Sequence, residues 1–214
     1  MGKKLKLKEY EDRYGGIPKE FHDRFVYLWK SMKFKERDLD KLRNMIRHIL
    51  QINKKELSFV FYFIPEATPR ARYSRFTKAF YVKKSVDYGS LFESFINSCN
   101  DIDIITTPCE FYCKTYKPTP SGMNRYEKVL CELGLIKDIA KADWDNLAKT
   151  YCDMIQHGLL LDDSLIYKGE LEKLYSIRPR IEITIKYYDI HDSTYNQKKI
   201  EKILAKNSER KNAK

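Results

Sequence analysis

The sequence predicts an α+β fold: a small mixed β-sheet packed with helices and preceded by an N-terminal helical extension. Three observations predict it. Short runs dense in aromatic and β-branched residues stand near 56–64, 108–116, 164–177 and 180–188, as strands do. Segments with apolar residues three and four apart lie before and between them, as in amphipathic helices. The two kinds are mixed rather than strictly alternating, which argues against a regular βαβ array. At 214 residues the chain suits one domain of ordinary size, or one domain plus a small appendage.

The elements follow in order. Gly15-Gly16-Ile17-Pro18 breaks the chain, and Pro18 suits a first helical turn. One apolar stripe (Phe21, Phe25, Leu28, Trp29) and a second (Leu39, Leu42, Met45, Ile46, Ile49, Leu50) predict a helical hairpin over 18–52. Its wide apolar faces need a partner, and docking on the main domain is the expectation. A strand at 56–64 ends at Pro65 and Pro69, and a hairpin or extended loop then runs to about Val82. Val86, Leu91, Phe92, Phe95 and Ile96 predict a helix ending near Cys99. After the strand at 108–116, Pro118, Pro120, Ser121 and Gly122 mark a loop before a short helix within 123–136. Leu147, Tyr151, Met154 and Ile155 form a helical stripe, with Gly158 expected as its C-terminal cap. Two strands around Arg178-Pro179 complete the sheet, and Thr194–Ala205 is either a basic helix or a frayed tail. The expected divisions are a helical extension (1–54), a main domain (55–188) and a basic tail (189–214).

Composition narrows the function. Hydrophobic residues make up 43% and aromatics 14%, too many for a disordered chain. The longest apolar run, Phe59 to Ile64, is six residues against the roughly 20 of a membrane span. MGKKLKLKEY has no apolar core, so no secretory leader is expected. Five cysteines, at 99, 109, 113, 131 and 152, form no CxxC pair and predict reduced thiols of an intracellular protein.

The net charge of +11 is uneven. Residues 1–8 contribute +4 and residues 198–214 contribute +5, as solvated arms or as loose attractors of phosphate. Residues 67–86 are more specific: Arg70, Arg72, Arg75, Lys78, Lys83 and Lys84 occur without an acid, interleaved with Tyr73, Phe76, Phe80 and Tyr81. Guanidinium groups grip phosphates while aromatic faces stack on unpaired bases, so the segment predicts contact with nucleic acid. The plainer alternative is a basic hairpin whose aromatics pack inward.

Acids concentrate elsewhere, in Asp143-Trp-Asp145, Asp153 and Asp162-Asp163. Asp143 and Asp145 share a side only if the backbone there is extended, at the entry to a helix. Asp145 or Asn146 is then the expected N-cap. Lys149 is four residues after Asp145 and four before Asp153, along one helix face. A helix returning to a neighbouring strand brings Asp162-Asp163 beside the earlier pair. Carboxylates gathered in this way repel one another, and a hard divalent cation, Mg²⁺ or Mn²⁺, relieves the repulsion. Such an ion activates water for phosphoryl displacement, with Lys149 either neutralising charge on the scissile phosphate or helping to deprotonate the water. Calcium-loop spacing fails, with Ala148 at the glycine position and Met154 at the final acid. No glycine-rich phosphate loop or Ser/His/Asp set occurs, so no small-molecule cofactor is expected. His157 is expected to be structural or exposed, and Cys109 and Cys113 to pack rather than bind zinc.

Asp143-Trp-Asp-Asn-Leu-Ala-Lys149, then Asp153, Gly158 and Asp162-Asp163-Ser164, resembles the signature of RusA-like Holliday-junction resolvases. Lys173 and the strand Arg178–Ile185 fit it, and Ile64-Pro65, Pro69–Arg72, Tyr81 and Lys83-Lys84 resemble the basic segment of its phage-borne branch. The likeness spans about residues 56–187. It implies a homodimeric α+β endonuclease that nicks four-way DNA junctions in symmetric pairs with Mg²⁺ or Mn²⁺, in the cytoplasm of a bacterium or phage-infected host. Asp143, Asp145 and Asp163 fall on the catalytic carboxylates, Lys149 on the essential lysine, and Asp162 on the neighbouring acid. Ala142 departs from the proline that often precedes the first aspartate. A nuclease for flap or other branched DNA, and a non-catalytic DNA-binding protein, are the rival readings.

Overall fold

A computed structural model describes residues 15, 17–67, 72–74, 79–81, 87–140 and 142–212, with the backbone alone for 22, 72–74, 79–81, 87, 88, 157 and 207–212. The chain divides into two compact units, Met1–Asn53 and Lys54–Lys214.

In the first unit, α1 (His22–Ser31) and α2 (Leu39–Leu50) each follow a single 3₁₀ turn. Ile17, Phe25, Trp29 and Leu39 are buried together, with Val26, Leu42 and Ile46 packed against them. Trp29 lies between the rings of Phe25 and Phe34, at centroid distances of 5.8 and 5.3 Å. The predicted hairpin forms, and Met45, Ile49 and Leu50 remain outside its core and exposed.

The second unit is built on a four-stranded sheet in the order β1-β6-β4-β5, comprising β1 (Lys54–Phe61), β4 (Cys109–Pro118), β5 (Ile166–Ser176) and β6 (Arg180–Tyr188). The ladders β1/β6 and β6/β4 are antiparallel and β4/β5 is parallel, so the sheet is mixed. A separate two-stranded ladder joins β2 (Arg72–Ser74) to β3 (Ala79–Tyr81), within the predicted hairpin segment. The helices are α3 (Asp87–Cys99), α4 (Arg125–Glu132), α5 (Trp144–Gly158) and α6 (Thr194–Asn212).

The strands alternate as a sheet covered on one face requires. Phe111 and Cys113 of β4, and Ile181, Ile183 and Ile185 of β6, are buried toward the helices. From the helical layer, Phe95, Leu147, Tyr151, Met154 and Ile155 are fully buried against them. Phe95 meets Phe59 and Phe61 edge-on at 5.7 and 5.9 Å. Ile200 anchors α6 in the same core, so its first turns form a docked helix rather than a frayed tail.

Gly158 is a correction to the sequence reading. It is the last residue of α5, with Leu159 in the cap position, and has no left-handed φ. A Cβ there would lie 2.8 Å from both Phe95 and Ile96. Glycine is required for the close approach of α3 to α5, not for a C-terminal turn.

On the opposite sheet face, near-buried Glu110 accepts hydrogen bonds from Lys54, Tyr112 and Tyr167. The Lys54 ammonium, then the two hydroxyls, hold its carboxyl down at about 2. This network joins β1, β4 and the first residues of β5, where β5 leaves the acidic turn described next.

Candidate active site

Asp143 occupies the N-cap position of α5, with extended backbone (φ −61°, ψ 145°), and its carbonyl accepts the Leu147 amide at 3.1 Å. The carboxylate makes no capping hydrogen bond. The predicted cap at Asp145 or Asn146 is therefore displaced: both lie inside the first turn. Trp144, between the two acids, donates its indole N–H to the Leu171 carbonyl of β5 at 2.7 Å. That bond ties the helix start to the sheet.

One turn on, Lys149 donates to Asp153 Oδ1 at 3.0 Å, and the lysine side chain is 67% exposed. Lys149 and Asp153 thus share a helix face as expected, with the ammonium turned toward the later acid.

Beyond α5, Leu160 makes an isolated bridge with Ile105, and the chain enters a 3₁₀ turn, Asp163–Leu165, ahead of β5. Asp162 caps this turn, accepting the Ser164 amide at 2.9 Å. Hydrogen bonds from the Ser164 hydroxyl and amide hold its carboxyl below the usual range. Asp163 is exposed. Burial first, then the charges of Asp153 and Asp163, raise the Cys152 thiol to about 11. Cys152 is accordingly a protonated packing residue, not a nucleophile.

The acids therefore form two pairs flanking Lys149, one at the start of α5 and one in the turn after it. Among the described residues, no group of three or more His, Cys, Asp or Glu side chains converges closely enough to hold a metal ion. The convergence expected from the sequence is absent in this respect. The donor chemistry nonetheless suits a hard cation. Among the described residues, the carboxylates of Asp143 and Asp163 make no hydrogen bond or ion pair and face solvent.

The backbone of Arg72 lies in β2, paired with Tyr81. Its side chain, and Arg70, Arg75, Lys78, Lys83 and Lys84, lie outside the described residues. All five cysteines are free. Burial raises Cys99 to about 11 and Cys109 to about 12, and raises Cys113 further, so these are core thiols. Sequence reasoning did not find Trp144 as an anchor. The available signal was an aromatic N–H donor between two acids. Among the described residues, no helix is long and apolar enough to cross a membrane.

A family model described as endodeoxyribonuclease RusA matches residues 63–186. Among curated proteins, the chain is similar to the uncharacterized protein YqaN of Bacillus subtilis (strain 168), with 34% identity over 85 residues. That alignment covers 39% of this chain and 60% of YqaN, so the chain spans less than two thirds of this relative.

Proposed function

The chain belongs to the RusA endodeoxyribonuclease family, matched over more than half its length, and from that premise we propose that it resolves four-way DNA junctions. It acts as a homodimer making paired symmetric nicks in DNA recombination and repair, in a bacterial or phage-infected cell. The observation carrying this reading is the coincidence of the family match with two exposed, unengaged carboxylates, Asp143 and Asp163, on either side of Lys149.

Asp143, Asp145 and Asp163 are the residues that would hold a divalent cation, for which the two pairs must draw together from the arrangement seen here. Bound Mg²⁺ or Mn²⁺ supplies a water of lowered pKa and offsets charge on the phosphate. Asp162 orients the turn that carries Asp163, through its bond to the Ser164 amide. Lys149, exchanging Asp153 for a phosphate oxygen, neutralises charge beside the cut. The acid-free basic segment at 67–86 attracts the backbone of branched DNA, and junction shape rather than base edges selects the substrate. A twofold dimer presents equivalent sites to symmetry-related strands.

The test offers labelled four-way, flap and linear duplex DNA with and without Mg²⁺. Symmetric nicking of the four-way junction alone is expected. Flap cutting would reassign the substrate, and binding without cutting would remove the nuclease reading.

A further inference from the structure

The chain entering α5 runs along the open edge of β5. Lys137 bridges Leu174 in antiparallel fashion, and the Asp138 amide donates to the Lys173 carbonyl at 3.2 Å. The Ala140 amide turns back to Asp138 Oδ1 at 2.7 Å. Strand-like pairing stops there, and two side-chain bonds from β5 and α5 take over. One is Trp144 Nε1 to the Leu171 carbonyl. The other is Lys173, whose Nζ donates to the carbonyls of Ala140 at 3.1 Å and Ala142 at 3.0 Å.

Ala142 immediately precedes Asp143 and has φ +142°, a region that side-chain-bearing residues rarely adopt. Such a conformation persists only where the surroundings hold it. Among the described residues, Lys173 helps to hold it, since its half-buried ammonium bonds to the Ala140 and Ala142 carbonyls. We propose that Lys173 is a positioning residue: it clamps the Ala140 and Ala142 carbonyls to the edge of β5 and so fixes where Asp143 meets a divalent cation. With two of its three donors engaged within the protein, its role here is to hold the backbone rather than to grip phosphate. The cation-binding half of this inference rests on the proposed nuclease reading; the clamp does not.

The test uses the full chain labelled with 5-fluorotryptophan, giving one ¹⁹F resonance for each of its two tryptophans. Trp144, flanked by Asp143 and Asp145, reports Mg²⁺ binding without any cleavage. Lys173→Met should shift the Trp144 resonance, raise its Mg²⁺ midpoint at least tenfold, and slow junction cleavage at least tenfold at limiting Mg²⁺. Junction affinity measured in Ca²⁺ should stay within twofold, and Lys173→Arg should recover most of the loss. Trp144→Phe, which cuts the second tie, should raise the Mg²⁺ requirement for cleavage in the same direction and keeps the proposal testable if Lys173→Met does not fold. An unchanged Trp144 resonance and Mg²⁺ midpoint in Lys173→Met, or a loss of junction affinity matching the loss of cleavage, would overturn the proposal. If the wild-type protein cuts no junction, the nuclease reading fails, and the Trp144 resonance in Lys173→Met still decides the clamp.

Discussion

Asp143 and Asp162 both stand at N-cap positions, yet only Asp162 uses its carboxylate as a cap. The difference divides the acids by role: Asp162 shapes a turn, and Asp143 remains open to a ligand. Between the two pairs, Lys149 is exposed and, among the described residues, is held by an i,i+4 ion pair, a contact worth a few tenths of a kcal/mol. A phosphate can displace so weak a partner. Lys149→Ala should therefore lower single-turnover cleavage at least a hundredfold while weakening junction affinity less than threefold; the reverse ranking would make it an anchor. The residue types and spacing of this site were legible in the sequence. What was not legible is where each carboxylate points, because capping depends on φ and ψ at one position and not on residue identity.

At the scale of elements, two local arrangements hold the site's supports. The first is the α3–α5 crossing, where Gly158 admits Phe95 and Ile96 at a distance no Cβ permits. Gly158→Ala should cost about 1–3 kcal/mol by overpacking, seen as a lower urea midpoint with an unchanged m-value. No loss of stability would show that the crossing relaxes freely. The second is the Glu110 network, which ties the first residues of β5 to β1 and β4. A carboxyl held at about 2, against an ordinary 4.5, contributes stability fully above pH 4.5 and loses it as pH falls toward 2. Glu110→Gln should thus lower Tm at pH 6, and the gap to wild type should close near pH 2; a pH-independent gap would assign the loss to packing. The order of helices and strands was legible from periodicity. The glycine was misread as a cap because helix-terminal glycines usually are caps, whereas this one answers to a helix distant in sequence.

At the scale of the whole molecule, the charge of +11 is concentrated at the two ends and in the acid-free segment at 67–86. If that segment grips the DNA backbone, Arg70→Ala/Arg72→Ala/Arg75→Ala should weaken junction binding and flatten log K against log[salt] by about 3. An unchanged slope would move the phosphate contacts elsewhere. The mixed sheet was foreseen, but its order was not. No local pattern says that β4 and β5 pair in parallel with β6 on the far side of β4, and that pairing gives β5 the open edge against which the Asp143 loop lies. The separation of the acids into two pairs follows from the same topology, since α5 must be crossed between them. The central claim is that both pairs serve one metal-dependent cut. The most direct measurement is single-turnover nicking of a labelled four-way junction by wild-type and Asp163→Asn proteins, with Mg²⁺ and with EDTA. The account predicts symmetric nicks by the wild type in Mg²⁺ alone, and a loss of at least a thousandfold in Asp163→Asn with junction affinity intact. Near-normal nicking by Asp163→Asn, or nicking that persists in EDTA, would contradict it.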